Sequence, residues 1–206
     1  MRSFKSLPGR IRKPGFSTLF VSGLLILAST PGIASDRVKS ETIQASAMGT
    51  GTQMGQVIGV TLNIYEFSTP ADKQMLMQAF EKGQNQGLVN ALTKMKAVGR
   101  VEITGTLGYD CSFIKVTKTP TGRNIRFVTN RQLRFGEVFA DSQSMAYNLT
   151  AGELDLNDTD KKKSTGKLYP AAQLVIDKQG QLQLELNQNA WNLVDVLDWK
   201  GTPGVN

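Results

Sequence analysis

No histidine occurs among the 206 residues, and cysteine occurs once. The first absence removes Ser-His and Cys-His nucleophilic catalysis, histidine zinc centres and imidazole ligation of haem. The second leaves Cys111 with no intrachain disulfide partner. It reads as a small buried hydrophobe, the other reading being an intermolecular bridge. A phosphate-cradling glycine loop and a cysteine pair are also missing. The apolar run near the N-terminus, 16–28, is 13 residues long and falls short of the roughly 20 that a membrane-spanning helix needs.

Acidic residues are absent from the first 34 positions, which carry Arg2, Lys5, Arg10, Arg12 and Lys13 ahead of the apolar run. Gly32 and Ala34 then supply small residues before Ser35, the layout of a cleavable secretory signal. An uncleaved anchor is the alternative. The formal charge of +7 rests largely on these five cations, and the remainder of the chain is left at only +2. The basic character is therefore a property of the leader, and nucleic acid is not an expected partner. The expected organisation is a signal at 1–34, a polar glycine-containing lead-in at 35–56, one globular domain at 57–200 and a tail at 201–206. No transmembrane span is expected once the signal is removed, and the address is the periplasm or the outside of the cell.

What is present reads mostly as strands around one helical region, 69–96. Thr69-Pro70-Ala71-Asp72 is a helix start: a threonine cap, a proline whose missing N–H has no partner to lose, and an acid able to complete a capping box. Leu76, Ala79, Phe80 and Gly83, then Leu88, Ala91, Leu92 and Met95, recur at helical spacing. Gly83-Gln84-Asn85-Gln86-Gly87 between them is poor helix sequence, which predicts two helices with a bend or one long kinked helix. Met75, Met77 and Met95 read as core packing, with an adaptable binding groove as the alternative. Gly99 is expected as the helical stop.

Alternating apolar residues predict strands over 58–64 and 101–107, and a hairpin over 111–118 and 123–130 turning at Thr119-Pro120-Thr121-Gly122. Short strands are expected near 137–140 and 145–149, a charged loop over 157–167, and a late hairpin joining 174–176 to 182–186. The stretch 191–199 is ambiguous between strand and helical turn. The predicted class is α+β: a mostly antiparallel sheet or partly closed barrel covered by the two-helix segment. Stretches such as Tyr65-Glu66-Phe67-Ser68-Thr69-Pro70-Ala71-Asp72 and Arg134-Phe135-Gly136-Glu137 resemble an uncharacterised family of exported bacterial proteins. The resemblance covers 63–199 and implies export and no particular activity.

Four candidate chemistries follow. Lys115, Arg126, Arg131 and Arg134 form a basic set suited to an anionic envelope component, although Arg123 and Arg126 fall on opposite faces of a strand. Ordinary solvated or paired charges are the plainer reading, with Glu102, Asp110, Glu137 and Asp141 as partners. Asp155-Leu156-Asn157-Asp158-Thr159-Asp160 resembles the start of a calcium loop, but Thr159 and the following lysines break the pattern, so a turn is expected. Ser112-Phe113-Ile114-Lys115 matches S-x-x-K only formally, since the serine lies in a strand. Trp191, Trp199, Tyr147 and Tyr169 could line a sugar surface but read more simply as core or rim. No catalytic residue, metal or cofactor is expected. The function that fits is an exported binding or structural protein of the cell envelope, meeting an anionic component or a partner protein. The alternative is a small carboxylate-dependent hydrolase acting on an envelope polymer.

Overall fold

The computed structural model describes residues 40–133, 146–176, 178 and 182–200. The predicted leader, the tail, Arg134, the expected strand at 137–140 and most of the late hairpin's turn lie outside them. Nine strands run in chain order: β1 (Glu41–Met48), β2 (Val57–Ile64), β3 (Gly99–Ile103), β4 (Tyr109–Thr119), β5 (Gly122–Thr129), β6 (Leu149–Asn157), β7 (Thr165–Ile176), β8 (Leu182–Leu186) and β9 (Trp191–Lys200). One α-helix among the described residues, α1 (Pro70–Lys94), joins β2 to β3. Every strand pairing is antiparallel. The ring β1-β2-β3-β4-β5-β6-β7-β9 closes on itself, and β8 adds to the second half of β7 outside the ring. Among the described residues the result is a closed eight-stranded barrel with one extra strand and one α-helix. The α+β expectation of a mostly antiparallel sheet or partly closed barrel under a helical segment is met in part: the strands are antiparallel and a helix covers one wall, but the barrel is closed and the fold is mostly β.

Closure explains the alternation. Ile43, Leu62, Val101, Ile114, Ile125, Phe127, Leu154, Leu168, Trp191 and Leu193 point inward and fill the lumen with side chains. Thr42, Asn63, Lys115, Arg126 and Glu153 occupy the other parity. At these positions the order is apolar-in and polar-out, the reverse of a membrane barrel's alternation, whereas under α1 the outer wall is apolar. Among the described residues no helix is long and apolar enough to cross a membrane. Two glycines sit where backbone or ring comes close. A Cβ on Gly152 would run into the ring of Phe127, its cross-strand partner. Gly99 does not stop the helix, which ends at Lys94 with Met95 as its C-cap; it opens β3, where a Cβ would meet Asn63 O and Ile114 Cδ1.

Several expectations need correcting. Residues 41–48, read as flexible lead-in, form β1, which pairs with β2 on one side and β9 on the other. Its inward-facing apolar members are Ile43, Ala45 and Ala47, two of them alanines, so the alternating signal is weak. The predicted strand at 101–107 ends at Ile103, and Leu107 is exposed in the following turn. The short strand expected near 145–149 instead begins at Leu149, as β6, and runs nine residues to Asn157, while position 145 lies outside the described residues. The charged loop is confined to 158–164, because β7 begins at Thr165. Segment 191–199 is a strand whose period breaks at Asp195, held at φ 51° where the register against β1 shifts. That bulge turns Trp191 and Leu193 inward while leaving Trp199 outside.

The helix starts as predicted. Asp72 N–H donates to Thr69 Oγ1, and Thr69 N–H donates to Asp72 Oδ2 at 2.7 Å. It is interrupted at Gly83 and Gln84, whose dihedrals leave the helical region. Leu76, Phe80, Leu88, Val89 and Leu92 face the barrel and form a second apolar cluster with Leu149 on its outer wall. Asn85, just past the interruption, fastens the helix to that wall. Its amide donates to Asn148 Oδ1, and its carbonyl oxygen accepts from the backbone N–H of Leu174 at 2.9 Å.

Candidate groove between the helix and the barrel wall

Helix and barrel do not close completely upon each other. Between them runs a groove of about 570 Å³, within the range of about 300–1,000 Å³ typical of small-molecule sites. Its floor is the outer face of β4, β5 and β6, through Phe113, Val128, Leu149 and Ala151. One wall is α1, through Leu76, Met77, Phe80, Leu88 and Leu92; the other is the β7/β8 extension, through Leu174, Ile176 and Leu184. The extra strand thus supplies one wall. Met77, 52% exposed, lines the groove, and Met75 is also exposed, so neither belongs to the core as expected. Met95 does pack against the helix cluster.

The register places a charged row beside the apolar floor. Phe113 pairs with Val128, and Val128 with Ala151; two residues along, Lys115 pairs with Arg126, Arg126 with Glu153, and Glu153 with Lys167. Lys115 and Arg126 line the groove, joined from the helix by Lys73 and Glu81. Arg126 donates through Nε and Nη2 to Glu153 Oε1 at 3.0 and 2.8 Å. Burial works to raise the Glu153 pKa, but hydrogen bonds from Arg126 and Asn124 and the fields of Arg126 and Lys167 hold it below the ordinary carboxylate value. Burial, followed by the field of Glu153, raises the nearby Tyr169 hydroxyl.

Of the predicted basic set, the structure brings together Lys115 and Arg126. Arg131 lies instead with its guanidinium 6.0 Å from the centre of the Tyr109 ring, and Arg134 is outside the described residues. Arg123 faces the lumen. It crosses from β5 to the diametrically opposite wall, pairing with Glu41 of β1 and with Asp198 of β9, the latter at 2.7 Å. Burial raises the Glu41 pKa, reinforced by Asp198 and opposed by Arg123. Two carboxyls meeting in one place is what a glycosidase needs, but here a guanidinium fills the space between them where a scissile bond would sit.

The remaining candidates resolve into structural roles. Asn157 Oδ1 accepts from the N–H groups of Thr159 and Asp160, and Asp160 caps a short turn at Lys161–Lys163, so the calcium-like stretch is a turn. Ser112 is buried while Lys115 is exposed, which separates the S-x-x-K pair. Trp191 is fully buried and Trp199 is half exposed, so they form no common platform. Burial pushes the Cys111 thiol far up, away from thiolate chemistry. Glu102 and Asp110 flank Arg100 at 3.7 and 2.8 Å. A larger hollow of about 700 Å³ lies on the other side of α1, but small residues such as Ala79, Gly83, Gly87 and Ala91 line much of it. Two of its carboxylates are already engaged, Asp72 in the helix cap and Glu66 with Lys96. The groove itself was not evident in the sequence, because its walls come from segments about 100 residues apart. Compared with family models, curated proteins and solved structures, the chain matches none.

Proposed function

We propose that this chain is an exported, non-enzymatic binding protein of the cell envelope whose site is the groove between α1 and the barrel wall. The observation that carries the reading is an apolar groove of about 570 Å³ whose walls come from three separate elements. Met77, Ile176 and Leu184 border it while still exposed, and each would gain by further burial. The leader supports export. The hydrolase alternative is less well supported: Glu41 and Asp198 are clamped by Arg123, and Asp155 accepts from Asn124. The anionic-partner expectation narrows to Lys115 and Arg126, the two members of the basic set beside the groove.

The test is an uncharged fluorescent probe, N-phenyl-naphthylamine, which brightens on entering an apolar site. The protein is expected to brighten it saturably, and Ala151→Trp, which fills the floor from outside the barrel, to abolish the effect. Equal brightening by the variant, or none by either protein, removes the groove as the site.

A further inference from the structure

We infer that the occupant of the groove is a single-chain amphiphile with an anionic head, its chain lying along α1 and its head at Lys115 and Arg126; this rests on the groove being the binding site. Shape supports a chain. The groove's lining on the helix extends from Lys73 to Leu92, at most about 28 Å at 1.5 Å per residue and less across the interruption. A volume of about 570 Å³ spread over that length leaves a narrow channel. A partner helix, about 10–12 Å across with its side chains, would need several times that space. One thin, flexible chain fits; a helix does not.

Charge decides the head. Along the floor, the apolar row of Phe113, Val128 and Ala151 gives way to Lys115 and Arg126 within two residues, about 7 Å. Glu153 already engages Arg126, but neither Lys115 nor Lys73 forms an ion pair with any described residue. Glu81 is the acid on the lining, eight positions along the helix from Lys73. An anionic head placed at the row therefore meets the Lys115 ammonium, which has no ion pair among the described residues, and the Arg126 guanidinium, with Lys73 bordering the same groove from the helix, while a cationic head meets net repulsion. Exposed pairs are individually weak, so the expected discrimination is modest, on the order of tenfold for two lysines.

Three ligands with the same dodecyl chain separate these terms: dodecanoate, dodecanol and dodecyltrimethylammonium, each measured by displacement of N-phenyl-naphthylamine. Dodecanoate is expected to bind about tenfold tighter than dodecanol, and the cation most weakly. The preference should shrink severalfold in salt of ~1 M. It should shrink likewise in Lys73→Gln with Lys115→Gln, while that variant keeps its affinity for the uncharged probe and so demonstrates an intact groove. Equal affinity for dodecanoate and dodecanol, or a preference for the cation, overturns the anionic head and leaves the groove standing. A probe that binds but yields to none of the three overturns the chain. Absence of probe binding overturns both the groove and this inference.

Discussion

Arg123 and Arg126 stand three residues apart on β5 and have opposite surroundings, as strand alternation requires. Arg126 lies in a solvated row, where its pair with Glu153 contributes little to stability. Arg123 is held inside the barrel between Glu41 and Asp198 with little exposure of any of the three. Burial works to lower its pKa, but the two carboxylates hold it above the ordinary arginine value. Replacing it by methionine leaves two carboxyls in the lumen without their cation, an expected loss of about 3–5 kcal/mol by urea denaturation. Glu41 adds a pH signature. Its folded pKa is raised above the unfolded value near 4.5, so the native state binds more protons over that interval and stability falls as pH rises through it. Glu41→Gln should remove that decline. An unchanged slope of stability against pH between the two proteins would contradict this account of the cluster. The opposite faces of the two arginines were legible in the sequence; the partners of Arg123 were not, since Glu41 lay in a stretch without clear periodicity.

At the scale of the element, α1 shows what local signals can and cannot specify. Its start was readable to the residue, because a cap, a proline and an acid act within four positions of one another. Asp72 accepts from Thr69 and is held below the ordinary carboxylate value, so its contribution is present above the unfolded pKa and lost as pH falls. Thr69→Ala is expected to cost about 0.5–2 kcal/mol in a thermal or urea melt. The interruption was readable too, but its purpose was not. Gly83 and Gln84 break the helix so that Asn85 can reach Ala146, Asn148 and the N–H of Leu174, more than 60 positions away in the chain. Asn85→Ala should cost about 1–3 kcal/mol by leaving that N–H without its acceptor. It should also alter probe binding, since Leu174 lines the groove. Loss of stability with unaltered binding would mean that the anchor does not shape the site. The missed strand β1 and the undecided segment 191–199 have related causes: β1 is poor in large apolar residues, and β9 changes parity at a bulge.

For the whole molecule, closure depends on a narrow seam. Most neighbouring strands pair over five to eight positions, but two pairs share only three: β3 with β4, which follow each other in the chain, and β9 with β7, distant in the chain, through Gly166, Lys167 and Leu168 opposite Leu193, Asn192 and Trp191. So short a ladder supplies few backbone hydrogen bonds, and side chains must hold the edges together. Trp191 and Leu193 enter the lumen from β9, and Leu168 enters from β7 beside them. Sequence patterning could indicate a twisted antiparallel sheet, but not that its edges would meet, because closure is decided by these three residues and by a β1 strand that joins β9 to β2. The two tryptophans make the seam observable. Trp191 is fully buried and Trp199 is 48% exposed, so acrylamide should quench one emitting population and spare a blue-shifted one, which alone remains in Trp199→Phe. Trp191→Ala should cost about 3–5 kcal/mol through loss of its burial and the cavity left behind. If the seam limits closure, the variant's amides in β7 and β9 should exchange with solvent faster than those of the β4/β5 hairpin. Uniform acceleration across all strands would instead mean that the barrel opens as a single unit, with no weak edge at β7 and β9.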